Sequence, residues 1–188
     1  MTLLPIIVLL AQPVGARETG ITGYSTAGCA ACHGTRSTAT TVTFDASSTT
    51  VAPGDTVDVT LTVANSSQSG AGLDVSVTCG SLAAGADTRL SSGEITHSSP
   101  ATLSSGIYTF DFTWTAPSTE GDCTLQGAGN AVNLNGINTG DSWNFATSYV
   151  LSVDDGCEDA DSDGWEDCDG DCDDADRTVY PGAAERCN

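Results

Sequence analysis

The chain has 188 residues and a formal net charge of −20, with 25 acidic residues against 5 arginines and no lysine. That length admits one sizeable domain plus shorter extensions. So acidic a surface excludes nucleic acid and anionic lipid as expected partners, since both carry the same sign of charge.

In chain order, residues 3–11 form an apolar run too short to span a bilayer as a helix. Val14, Gly15 and Ala16 make a small-residue site before Arg17, so residues 1–16 read as a secretory signal peptide, although no basic residue precedes the run. No second long apolar stretch follows, and the visible chain has no span of its own. Export to a periplasmic, secreted or cell-surface location changes the meaning of the eight cysteines, which there are oxidised, haem-linked or metal-bound.

The first motif is Cys29-Ala30-Ala31-Cys32-His33. Covalent haem c needs two thiols for the two vinyl groups and a histidine directly after the second thiol to ligate iron, and this segment supplies all three. A Cys29–Cys32 disulfide beside an idle histidine fits the same residues. So does a zinc site, to which only His97 offers a further ligand of that kind.

Residues 41–70 then read as strand sequence. Val57, Val59, Leu61 and Val63 alternate with Asp58, Thr60 and Thr62 behind a turn at Pro53-Gly54, a period of two with one face buried. The pattern returns with Leu73, Val75, Val77 and Cys79, and again with Tyr108, Phe110, Phe112 and Trp114 before Pro117. A short strand at residues 123–129 follows. Trp143, Phe145, Tyr149, Leu151 and Val153 close the series. Short strands between Gly, Ser, Asn and Pro turns predict an all-β, immunoglobulin-like sandwich over residues 17–153. Cys79 and Cys123 share the inward parity of their strands, which predicts a buried disulfide across the sandwich.

His97, in "GEITHSSPA", is the other histidine. The single methionine is Met1, lost with the signal, so a His/Met haem site is excluded. Either His97 reaches the iron from the face opposite His33, giving a bis-histidine electron-transfer haem, or it is a solvated loop residue. No Ser–His–Asp set is available for hydrolysis, because one histidine belongs to the CxxCH motif and the other lies in an acid-poor stretch.

The acidic tail, residues 154–188, holds a second constellation. Asp159, Asp161 and Asp163 occupy positions one, three and five of a loop with Gly164 at six, the opening of a calcium loop. Asp167 falls at position nine. Gly170 at twelve replaces the bidentate glutamate, so the loop is not an EF-hand. Asp171, Asp173, Asp174 and Asp176 suggest a second cage. Cys157, Cys168, Cys172 and Cys187 suggest two disulfides stapling a coreless segment. All-oxygen ligands favour Ca²⁺ over copper. A solvated acidic spacer is the alternative.

Two resemblances bear on these motifs. The phrases "GITGYSTAGCAACHG", "EITHSSPA", "FTWTAP" and "AGNAVNLNGINTGDSW" resemble the bacterial exported domain known as choice-of-anchor V, which is similar to the Reeler-type β-sandwich, over residues 19–153. That resemblance implies a Reeler-like domain carrying Cys29, Cys32, His33 and His97 together, and strengthens the haem expectation. It names no activity. The tail resembles thrombospondin type-3 and dockerin-like DxDxDG segments. Its later part, "DCDDADRTVYPGAAERCN", resembles the MopE-type metal-binding motif, which is labelled copper-binding and normally runs on past the point where this sequence stops. The expectation is thus an exported monohaem electron-transfer module with an unidentified redox partner and a calcium-binding tail. The alternative is a non-enzymatic cell-surface adhesion or structural module with an unidentified surface partner.

Overall fold

The computed structural model describes residues 18–184. The expected signal peptide and Cys187 lie outside the described residues. A four-residue helix, α1 (Ala30–His33), precedes twelve strands: β1 (Thr41–Ala46), β2 (Thr50–Val51), β3 (Thr56–Ala64), β4 (Gly70–Val77), β5 (Ser81–Ala84), β6 (Thr88–Ser91), β7 (Glu94–His97), β8 (Ala101–Thr102), β9 (Ile107–Thr115), β10 (Gly121–Val132), β11 (Ser142–Phe145) and β12 (Tyr149–Val153). They form two sheets. The smaller runs β1-β3-β9-β5. The larger runs β2-β12-β10-β4-β7-β6, with β11 also on β10 and β8 also on β4. The fold is a β-sandwich.

The core lies between the sheets. β3 contributes Val57, Val59, Leu61 and Val63, and β9 contributes Phe110, Phe112 and Trp114, in register with β3 from Thr56↔Thr115 to Ala64↔Ile107. Opposite them lie Leu73 and Val75 of β4, Leu125 of β10, and Leu151 and Val153 of β12. The buried Trp114 ring satisfies its N–H on the Cys79 carbonyl at 2.9 Å, removing the cost of burying a lone donor. Inward positions of β10 shrink to glycine where the sheets come closest. A Cβ on Gly127 would lie 2.7 Å from Phe44, and one on Gly129 would lie 2.8 Å from both Val42 and Val63.

Two expectations are corrected. β10, read as a short strand, runs for twelve residues and is a central strand of the larger sheet, pairing with β4, β11 and β12. The Cys79–Cys123 disulfide is present but does not cross the sandwich. The pairing Leu125↔Val77 continues outward to Cys123 and Cys79, so the bond staples neighbouring strands of one sheet. It closes a loop with a sequence separation of 44. By loop-closure entropy it is worth roughly 3–4 kcal/mol. Replacing both cysteines by alanine should therefore lower the unfolding free energy by about that amount. Urea denaturation reads this directly, and a loss below about 1 kcal/mol would refute the assignment of a stabilising staple.

Candidate functional site: a crevice on the outer face of the larger sheet

β4 is buried on both faces for most of its length, which a solvated sheet would not require. Its outward positions, Gly72 and Asp74, sit beside the outward Asn130 and Ala128 of β10, in the register Asn130↔Gly72 and Ala128↔Asp74. All four are buried under the segment that runs from residue 20 into α1.

That segment is held by polar contacts. Gly20 donates its N–H to the His97 carbonyl at 3.0 Å, and Arg89 donates to the Gly20 carbonyl. Tyr24 donates its N–H to Asp74 Oδ2 at 2.7 Å, and Gly23 donates to Glu94. The hydroxyls of Ser25 and Ser76 lie 2.8 Å apart. The Trp143 indole donates to the Gly34 carbonyl at 2.8 Å. Gly28 has φ +75° and lies flat on Trp143 and Phe145, where an added Cβ would come within 2.3 Å of the indole. Only glycine meets both the backbone angle and the approach.

Docking brings Cys29, Cys32, His33 and His97 to one place. All four line a mainly apolar cavity of about 90 Å³, with Gly72, Leu73, Asp74, Ala128 and Asn130 in its wall. A second cavity of about 170 Å³ adjoins it and shares His33, Gly72, His97 and Asn130. Cys29 and Cys32 are free thiols on the turn of α1, where Cys32 and His33 both donate backbone N–H groups to the Cys29 carbonyl.

Each imidazole has one nitrogen engaged. His33 Nδ1 lies 2.8 Å from Asp141 Oδ2, and Asp141 Oδ1 accepts the Asn133 N–H at 3.1 Å. His97 is partly buried at the end of β7, not on a solvated loop. The Leu73 N–H donates to its Nδ1 at 3.2 Å, and the Leu73 carbonyl oxygen lies 3.4 Å from the same nitrogen. Burial lowers the His97 pKa, an effect opposed by the Leu73 backbone and reinforced by Arg89 and His33, which favours the neutral ring. The influence of His33 also places the two rings within electrostatic reach of each other.

Two thiols and two imidazoles on one cavity are residue types that could hold a haem c. Asp141 holds Nδ1 of His33, and Nδ1 of His97 lies against the Leu73 backbone. Gly20 and Gly72 bracket the His97 ring, and a Cβ on Gly72 would lie 2.6 Å from its Cε1. A single zinc ion needs its ligand atoms gathered on a point. Among the described residues, the groups that tight are in the acidic region around the tail, not here. A catalytic dithiol needs a lowered thiol pKa. Burial, with the charge of Asp74 and the neighbouring Cys32, instead pushes Cys29 up to about 12.

Sequence reasoning missed Asp141 and Asp74. Asp141 is the only acid in residues 128–143, and that isolation was its signal. Asp74 occupies a nominally wet position of a strand flanked by Gly70 and Gly72, and the small outward residues mark a covered face.

In the tail, Asp159, Asp161 and Asp163 come together, with ligand oxygens within 4.8 Å of one another. Asp167 is apart from them: its Oδ1 faces the Glu158 N–H, and it groups with the sulfurs of the Cys157–Cys168 disulfide. The second expected cage is dispersed. Asp171 takes the Asp173 N–H, Asp174 takes the Ala160 N–H on both oxygens, and Asp176 accepts from Thr178. Cys172 stands outside the Cys157–Cys168 pair.

No protein-family model matches the chain and no curated protein does, so the two sequence resemblances find no support there. Among solved structures the chain is similar to the Reelin-N domain of F-spondin, with TM-score 0.47 and 18% identity over 65% of this chain and 94% of that one. It is similar to the human F-spondin reeler domain at TM-score 0.46 and 16% identity, covering 60% and 89%. BslA, a bacterial hydrophobin, follows at TM-score 0.40 and 14% identity, covering 61% and 95%. No function is carried over from these likenesses. The two disulfides mark an exported or extracellular chain, and no helix among the described residues is long and apolar enough to cross a membrane.

The buried Asp74 makes stability depend on pH. Loss of hydration raises its pKa to about 7, against the lowering effect of the Tyr24 N–H and with further raising by Glu94. In the folded state Asp74 holds its proton where the unfolded chain has lost it. Stability should therefore fall as pH rises from the ordinary aspartate value to about 7. Asp74→Asn should flatten that part of the profile. Denaturant midpoints measured across this window test it, and parallel profiles for the two proteins would refute it.

Proposed function

We propose that the chain is an exported module of the cell exterior, a disulfide-stapled β-sandwich whose outer crevice holds a haem c joined to Cys29 and Cys32 and ligated by His33 and His97. The observation that carries this reading is the convergence of those four residues on one mainly apolar cavity. Bound there, the group would supply one-electron transfer. Asp141 would hold His33 in place through Nδ1, and the Leu73 N–H, which donates to Nδ1 of His97, would hold that ring. His33 and His97 would hold the group between them, and held so it would supply electron transfer in preference to oxygen chemistry.

A second reading is favoured by the fold and by the two disulfides: a structural or adhesive module of the cell surface, with Cys29 and Cys32 forming a third disulfide. It needs nothing beyond the packed core and the staples. Both readings share the exported sandwich and differ only in what fills the crevice.

For the tail we propose Ca²⁺, supported by the convergence of Asp159, Asp161 and Asp163 and by ligands that are all oxygen.

Expression beside a cytochrome c maturation system should yield a protein whose pyridine haemochrome stays with the polypeptide through acid–acetone extraction. Its spectrum should be low-spin, and His97→Ala should convert it to high-spin. A colourless product of unmodified mass rejects the haem and leaves the structural module. A wild-type spectrum that is already high-spin rejects His97 as the second ligand.

A further inference from the structure

Resting on the calcium reading of the tail, we propose that Asp171, and not Asp167, closes the ion site, so that a single Ca²⁺ held by Asp159, Asp161, Asp163 and Asp171 ties the loop at residues 159–164 to the segment at residues 171–177.

Three carboxylates divide their oxygens in the same way. Asp161 gives Oδ1 to the Asp163 N–H at 3.1 Å, Asp163 gives Oδ1 to the Trp165 N–H at 3.0 Å, and Asp171 gives Oδ1 to the Asp173 N–H at 2.8 Å. The Oδ2 atom of each is buried and has no hydrogen-bond partner. Asp171 is only 8% exposed, in a segment with no apolar core to bury it. A buried carboxylate oxygen without a donor costs free energy, and placing more than one in the same region adds repulsion. A divalent cation removes both costs at once.

Asp171 shares this region with the loop. Two contacts bind the segments: Asp174 accepts the Ala160 N–H at 3.2 Å on each oxygen, and Arg177 donates to the Ser162 carbonyl at 3.1 Å. Asp171 lies outside the tightest group of ligand oxygens. Ligands on opposite sides of one Ca²⁺ ion stand roughly 4.6–5.2 Å apart, so a closing carboxylate belongs at the margin of such a group. Asp167 holds position nine of the loop by count, but its Oδ1 faces the Glu158 N–H beside the Cys157–Cys168 disulfide. Spacing alone selects Asp167, and the fold selects Asp171.

The test is calcium titration of the whole chain by calorimetry, with calcium chloride as the only added ligand. Asp171→Asn keeps an acceptor for the Asp173 N–H and removes the charge, and it should weaken binding on the order of tenfold or more. Asp167→Asn should stay within about twofold of wild type. Asp174→Asn likewise keeps one acceptor for the Ala160 N–H and removes one charge from the same segment, so it measures the loss that comes from charge alone. It should weaken binding clearly less than Asp171→Asn does. Asp167→Asn or Asp174→Asn matching the effect of Asp171→Asn, or Asp171→Asn binding like wild type, overturns the proposal while leaving a calcium-binding tail. No heat of binding from the wild-type chain overturns the calcium reading itself, and this inference with it.

Discussion

A sheet face with glycine, alanine and asparagine at its outward positions must be covered or left poorly packed, and here the cover is the segment that carries the CxxCH motif. Gly72, Asp74, Ala128 and Asn130 form the floor. None is large enough to fill the space above it, so the segment covers the floor, held on the Asp74 carboxylate, and a cavity remains beneath it. This docking sets everything else at that end of the molecule. Gly28 lies against Trp143 and Phe145, α1 is turned toward the sheet, and His33 reaches Asp141 across a sequence distance of 108 residues. His97, fixed by strand pairing at the end of β7, then faces the motif. A bulky residue on the floor would lift the segment and separate the histidines without touching either one.

The same burial sets the chemistry of the groups inside. Loss of water favours the uncharged form of each titratable group, and the directions agree: Cys29 and Asp74 are raised and His97 is lowered. The crevice is thus lined by a neutral thiol, a carboxyl poised near neutrality and a neutral imidazole. A dithiol that exchanges disulfides works through a thiolate, which this site disfavours. The environment therefore argues against a working redox pair at these two cysteines.

What could be read from the sequence follows from which faces meet water. β3 and β9 each have one wet face, so their alternation is plain, and the core residues Val57 to Val63 and Phe110 to Trp114 stand out. β10 is covered on both sides over part of its length, which erases the alternation and made it look short, whereas β4 keeps its alternation in sequence although its outward face is also covered. The residues from Trp143 to Val153 read as one strand but form two. Trp143 and Phe145 pack against the docked segment, outside the core formed by Leu151 and Val153. Parity correctly paired Cys79 with Cys123, yet parity says nothing about which strands are neighbours, and the bond lies within a sheet. At the crevice, the motif and His97 were legible as chemistry, while Asp141 and Asp74 depend on contacts 50 or more residues apart in the chain.

The tail obeys a different constraint. After Val153 no described residue joins the hydrophobic core, so the core does not order this segment. Its backbone N–H groups are satisfied largely by aspartate side chains, as in the contacts of Asp159 with Asp163 and Gly164. Using carboxylates as the acceptors concentrates negative charge as the turns form. The Cys157–Cys168 disulfide offsets chain entropy, but it does nothing for that repulsion. Only counter-charge does, and Arg177 is the one cation among the described residues of this region. On the calcium reading proposed above, the order of the tail depends on the cations around it, while that of the sandwich depends on apolar packing. Removing divalent ions should then loosen the first and leave the second folded.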